Sequence, residues 1–376
     1  MDKRIFKIAL TGGPCSGKTT SLSTIVQTFS NDFKVYSVPE MGTIAFHSGV
    51  VLDPKTYSET DHQQFTQKLC QAQIDLERFY DELALMQGKK TLIVCDRGVV
   101  DNFAYTTKTN KKKILEETNW SYNYICNERY DLVIHLVTAA IGATDHYTLA
   151  NNDARSEGLA EAIAIDKRIQ KEWMGHPNFV IIDNSMPGFE NKIKRVINTI
   201  SSFIGVHRPK YSRRFLLHEA FNQEMIPAEI GVKIFYEDIN LLFSNKENSV
   251  SFIKKRHFPN STPNFFLIVR KFSDQVEERV ETIKNITERA YFDLYHQIDP
   301  SYYALHKKII TFSLDHDNQV SNYNIELLTV DGKVLNVLKI FKDIETQEPY
   351  IPDFLSVTTE ITNDPTYQLD KLTKID

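Results

Sequence analysis

The stretch TGGPCSGKTT, Thr11 to Thr20, constrains the fold of this 376-residue chain more than any other segment. Gly12, four residues, then Gly17, Lys18 and Thr19 give the spacing G-x-x-x-x-G-K-S/T, in which a glycine loop wraps backbone N–H groups round an anion. Ile5 to Leu10, just before it, is a short apolar, β-branched run expected as a buried parallel strand. Thr19 to Asn31, just after it, is expected as a helix with Leu22, Ile25, Val26 and Phe29 on one face. Strand, loop and helix in that order aim a helix N-terminus at a phosphate chain. The spacing predicts that Gly12, Gly13, Pro14, Cys15, Ser16, Gly17, Lys18, Thr19 and Thr20 cradle a nucleoside triphosphate. Lys18 would reach the β and γ phosphates and the Thr19 hydroxyl would ligate Mg²⁺. Cys15 is read as a small filler of the loop.

Hydrophobic residues at 41% and charged residues at 25% describe a globular protein, and 376 residues suit two cores better than one. A net charge of −5 argues against a nucleic-acid partner. There is no signal-peptide pattern and no apolar run of transmembrane length, so a cytoplasmic location, peripheral to membranes at most, is expected. Cys15, Cys70, Cys95 and Cys126 show no C-x-x-C spacing, which argues against a disulfide framework and a zinc site.

The first half alternates strands and helices. After the loop and its helix come a strand at Phe33 to Val38 and a long helix from Asp61 to Gln87, with Phe65, Leu69, Ala72, Leu76, Phe79 and Leu83 as its buried face and Thr60 with Gln63 as its capping box. Strands at Thr91 to Asp96, Leu132 to Val137 and Phe179 to Asp183 follow, with helices from Arg155 to Trp173 and from Phe189 to Ile204. This implies an α/β fold, a parallel sheet with helices on both faces. The basic, proline-containing stretch GVHRPKYSRR reads as a linker, dividing the chain into residues 1–205 and 206–376. Beyond it strands come in hairpins, one joined through Asp331 and Gly332, with a helical interruption around Gln275 to Tyr303. The second domain is therefore expected to be an antiparallel sheet or barrel.

Asp96 ends an apolar strand where a parallel-sheet nucleotide fold places the carboxylate that holds Mg²⁺, although a strand-end acid can also cap a helix. Arg97 next to it could meet a phosphate. Glu40, in VPEMG, stands at the carboxyl end of the second strand, as a base for phosphoryl transfer or as a turn acid. The polar stretch His146 to Gly158 is read as a lid whose Arg155 reaches the transferring phosphoryl group, with Arg168 a second candidate. In the second half, alternation puts Phe252, Lys254 and Arg256 on one strand face, with Arg270 on the next strand and Lys307, Lys308 and Arg289 adding charge. Lys254, Arg256, Arg270 and Lys308 are the candidates for a polyanion site, the alternative being basic residues that protect sheet edges.

The segments KIALTGGPCSGKTT, VPE, CDRG, VIHLVTAAIGATDHYT, EWMGHPNF and VIIDN together resemble the kinase-like P-loop domain of the TRPL translocation defect family. More distantly they resemble the nicotinamide riboside kinase domain of the NAD regulator. FIKKR, IVRK and IPDFLSVTTEITNDPTYQL are similar to that family's second domain, a CYTH-like, triphosphate-tunnel barrel. The resemblance implies GTP or ATP with Mg²⁺ in the first domain. It implies a phosphorylated small molecule or an anionic phospholipid headgroup in the second. E-x-E-x-K, which holds metal in catalytic tunnels, occurs nowhere, and the matching strand reads SRRFLL, leaving Glu326 and Glu360 as acids. No N-K-x-D guanine motif is present. Three functions follow as expectations: a nucleotide-binding protein with slow NTPase activity joined to a ligand-binding domain, a small-molecule kinase with Glu40 as base, and a tunnel triphosphate phosphohydrolase.

Overall fold

The computed structural model describes residues 5–51, 57–144, 158–186, 188–204, 211–243, 249–259, 261–272, 279–317, 319–342, 348–362 and 364–375. The chain falls into two compact units, Met1–Val206 with Asp315–Val320, and His207–Leu314 with Ser321–Asp376.

In the first unit β1 (Ile5–Gly12) runs through the phosphate loop into α1 (Lys18–Phe29). Then come β2 (Lys34–Val38), α2 (Met41–His47), α3 (Glu59–Gln87), β3 (Thr91–Asp96), a 3₁₀ turn (Val99–Tyr105) and α4 (Lys108–Thr118). A π-helical turn (Tyr124–Glu128), β4 (Leu132–Leu136), α5 (Leu159–Trp173), β5 (Phe179–Ile182) and α6 (Phe189–Phe203) complete it. The five strands order as β2-β3-β1-β4-β5, and every pair is parallel. Alternation along β1 explains the two cores: Ile8 and Leu10 pack with Ile25 and Phe29 of α1 and Val196 and Ile200 of α6. Ala9 packs on the other face with Cys70 and Ile74 of α3 and Ile165 and Ile169 of α5.

Two features of α3 differ from the sequence expectation. Its capping box is Ser58 with Asp61, about two residues earlier than Thr60 with Gln63, because Thr60 already lies in the first turn. Its buried face is also rotated, toward Gln63, Thr66, Cys70, Gln73, Ile74, Glu77 and Ala84, and Phe79 is exposed. Apolar periodicity misplaces this face because the polar residues on it are satisfied internally. Arg129 Nη2 donates to Glu77 at 2.6 Å, Tyr130 Oη donates to it at 2.8 Å, and Gln73 accepts the N–H of Met41 at 3.0 Å. The short helices α2 and α4 and the 3₁₀ turn were not legible in the apolar pattern.

The second unit is an antiparallel sheet, of nine strands among the described residues, in the order β10-β9-β8-β7-β11-β12-β13-β6-β14. The strands are β6 (Tyr211–Leu217), β7 (Lys233–Leu241), β8 (Ser249–His257), β9 (Asn264–Phe272), β10 (Arg279–Ile286), β11 (Leu305–His316), β12 (Gln319–Val330), β13 (Lys333–Lys342) and β14 (Val357–Glu360). Two helices, α7 (Glu288–Tyr295) and α8 (Leu369–Leu372), accompany them. Asp331 and Gly332 both have positive φ, 47° and 72°, as the hairpin turn between β12 and β13 requires. The helical interruption expected around Gln275 to Tyr303 is partly strand: β10 pairs with β9 from Arg279 to Ile286, and among the described residues of that range only Glu288–Tyr295 is α-helical. The alternating β-branched residues of RVETIKNI favour the strand.

This sheet is strongly curled. In a flat sheet β6 and β9, six places apart, would lie roughly 29 Å from each other. Yet the charges of Arg214 on β6 and Arg270 on β9 act on one another, and Leu216 packs in one cluster with Phe252 of β8 and Phe266 of β9. The concave face thereby becomes a lumen.

Candidate functional site

The parallel order places β3 directly beside β1, with Leu10 level with Asp96, so the acid ends its strand next to the start of the phosphate loop. Gly12 has φ +145°, and a Cβ there would stand 2.1 Å from the Leu136 carbonyl oxygen, so only glycine fits. Gly17, at φ +91°, caps α1, and the Phe189 ring lies where its Cβ would project. Lys18 Nζ donates to the carbonyls of Gly12 at 3.0 Å and Gly13 at 3.2 Å, folding back over the loop. Burial, reinforced by Arg97, lowers the Lys18 ammonium to about 8. Thr19 and Thr20 are exposed at the first turn of α1, while Pro14 and Ser16 are buried in the loop.

The loop is held from behind by β4 and α5. Thr138 Oγ1 donates to the Pro14 carbonyl, and Ala139 N donates to the Cys15 carbonyl at 3.2 Å. Asp166 Oδ1 accepts from Gly13 N at 2.8 Å and Thr138 N at 3.1 Å, and lies 3.2 Å from His135 Nε2. Burial pushes the Asp166 carboxyl up, but His135 and these donors outweigh it and hold it low. Asp101 supports the other side, accepting from Thr11 Oγ1, Gly98 N and Trp173 Nε1. Sequence reasoning missed His135, Asp166 and Asp101. Their one signal was a polar residue inside otherwise apolar strand and helix faces.

Glu40 follows β2 and turns into the crevice. Its Oε1 lies 2.8 Å from Arg97 Nε, and its Oε2 accepts from Thr43 Oγ1 at 2.9 Å. Arg97 adopts φ +66°, a strained conformation for a side-chain-bearing residue, which sits here beside the phosphate loop. Asp96 Oδ1 is buried without a hydrogen-bond partner among the described residues. Burial pushes its carboxyl up, against the pull of Lys18. An orphaned carboxylate oxygen beside the loop, with the exposed Thr19 hydroxyl at the helix start, fits a hard cation with oxygen ligands such as Mg²⁺. Arg155 lies outside the described residues, and Arg168 is exposed on α5.

In the second unit Lys254 of β8 bonds Glu237 of β7 at 3.1 Å, and Arg256 stands 3.8 Å from the same carboxylate. Arg270 lies over the Phe252 ring at 4.9 Å. Lys308 is not brought to this group: it occupies the opposite pleat of β11 and donates to Gln223 at 3.0 Å. Lys307, its neighbour, faces the lumen and donates to Glu326 at 3.0 Å. Glu360 is also elsewhere, paired with Arg213.

No helix among the described residues is long and apolar enough to cross a membrane. Two solved structures, described as the inorganic triphosphatase NE1496 and the hypothetical protein NE1496, align with this chain at 13% and 12% identity. They cover 45% and 44% of it and 96% and 97% of themselves, each at a TM-score of 0.28. No curated protein matches the chain. A family model described as an AAA domain matches residues 7–191, the segment that carries the phosphate loop, Glu40 and Asp96, and such a P-loop domain is a nucleotide-binding domain.

Proposed function

We propose that the first unit binds ATP or GTP with Mg²⁺ and turns it over slowly, and that the second unit binds a phosphorylated ligand, either a small molecule or a lipid headgroup. The observation that carries the first part is the grouping of Lys18, the orphaned Asp96 oxygen and the exposed Thr19 hydroxyl at one end of β1 and β3. Thr19 and Asp96 would hold the cation, which supplies charge neutralisation at the phosphate oxygens. Lys18 exchanges its bonds to the Gly12 and Gly13 carbonyls for bonds to the phosphate chain. The experiment is a binding and turnover screen of the nucleoside triphosphates with Mg²⁺, in which Lys18→Ala loses both. Unchanged affinity in that variant would refute the assignment.

One observation favours a second reading, transfer to a small acceptor. Glu40 is fixed in the crevice by Arg97 and Thr43, each of its oxygens retaining a lone pair for a hydroxyl. In that reaction the acceptor oxygen bonds to the γ-phosphorus, its bond to the β,γ-bridging oxygen breaks, and the hydroxyl proton passes to Glu40. Glu40→Gln then keeps nucleotide binding and loses acceptor-dependent release of the diphosphate. The chain's place in the TRPL translocation defect family is part of this proposal, resting on the motifs quoted above.

A further inference from the structure

The lumen of the second unit has two zones. Leu216, Ile239, Phe252, Phe266, Leu328 and Val337 fill one with apolar side chains. In the other, Arg214, Lys254, Arg256, Arg270, Lys307 and Lys339 form one electrostatic group that includes the carboxylates of Glu237 and Glu326. Arg214 stands directly opposite Lys339 in the β6/β13 register, like charges brought together on one face, and the Glu326 carboxylate acts on both. Burial lowers Arg214 and Lys254 alike, as expected for cations crowded out of water.

The two carboxylates lie on strands that flank β11, and Lys307 of β11 stands between them. It is opposite Glu237 in register and bonds Glu326 at 3.0 Å. Carboxylates on the two strands flanking one position are the kind of oxygen ligands a divalent cation takes, and the Lys307 charge acts on both of these. Here a covalently attached ammonium has that position, and Glu237 is further engaged by Lys254 at 3.1 Å.

We propose that Lys307 is a built-in counter-cation, so that this lumen binds a phosphate polyanion through Arg214, Arg270 and Lys339 without a divalent metal. The inference rests on the reading of the second unit as a phosphate-ligand site and adds how that site is charged.

The test is calorimetric titration of the full chain with inorganic tripolyphosphate in EDTA and, separately, in Mn²⁺, with Lys18→Ala to silence the phosphate loop. Binding is expected in EDTA, undiminished by Lys18→Ala and weakened at least tenfold by Arg214→Gln with Lys339→Gln. Lys307→Ala is expected to weaken binding in EDTA and to recover it with Mn²⁺, because the freed carboxylates then take the metal; thermal melts confirm that each variant is folded. Binding by the Lys18→Ala chain, with Lys307 intact, that appears only with Mn²⁺ would overturn the inference and leave the phosphate-site reading standing. Failure to bind tripolyphosphate in either buffer, with binding to phosphatidylcholine vesicles containing phosphatidic acid, would overturn a soluble polyanion in favour of a headgroup. Silence in every arm would overturn both the inference and the reading beneath it.

Discussion

Asp166 of α5 accepts the backbone N–H of Gly13 at 2.8 Å, so a side chain more than 150 positions away fixes the phosphate loop from behind. Asp166→Ala leaves that N–H, the Thr138 N–H and His135 without their acceptor in a buried site, and is expected to destabilise the first unit by about 2–3 kcal/mol. Nucleotide affinity should fall with it, and Asp166→Asn, which keeps one acceptor oxygen, should recover part of both. Urea unfolding with and without nucleotide checks this; equal stability of the alanine variant would refute it.

Nucleotide affinity should decline as pH rises above about 8. Lys18 is lowered to about 8 by burial and by Arg97, and only its ammonium form attracts the phosphate chain. The sign for folding is opposite. The folded group releases its proton before the unfolded one, so its contribution to nucleotide-free stability rises between about 8 and 10.5. Lys18→Ala should therefore lose nucleotide while melting no lower than the parent at neutral pH. Titrations at several pH values and constant ionic strength read the first effect, and melts read the second.

The second unit should weaken in acid through Glu237. Burial pushes this carboxyl up, but Lys254, Arg256 and Lys307 outweigh burial and hold it at about 2. Its stabilisation is full above 4.5 and is lost as pH falls from there through about 2. Glu237→Gln, which strands buried cations, is expected to cost about 3 kcal/mol at neutral pH. Denaturant unfolding of the full chain checks it, and a loss below about 1 kcal/mol would mean the lumen is wetter than the ion pairs suggest.

Phe189 puts an exposed ring beside the phosphate loop, where a base bound there would stack. Its ring lies against Gly17 at the start of α1 and is 43% exposed. Phe189→Ala should weaken ATP and GTP alike, by about 1 kcal/mol, since stacking does not distinguish the two purines. Unequal losses in parallel titrations would point to a polar contact that reads the base.

The five parallel strands, and the positions of the phosphate loop, Asp96 and Glu40 at their carboxyl ends, were readable because each depends on neighbours in sequence: an apolar strand, then the residue that follows it. The support behind the loop was not. Asp166 and His135 meet across folded structure, and nothing within a helix or strand of the sequence marks either as a partner of Gly13. Periodicity failed on α3 for a related reason, since Gln73 and Glu77 are buried by virtue of Arg129 and Tyr130. The choice between Lys307 and Lys308 turned on which pleat of β11 faces inward, a matter of sheet curvature that adjacent lysines do not reveal.

The apolar zone of the lumen, closed further by Ile361, Tyr367, Leu369 and Leu372, gives the cationic zone a floor. A chain of phosphates, bound there as proposed, would advance only until it met hydrocarbon. On the proposed reading of this unit as a phosphate-ligand site, that floor would act as a gauge of length: short anions would sit wholly among the cations, each added unit would remain outside in water, and affinity should level off once the floor is reached.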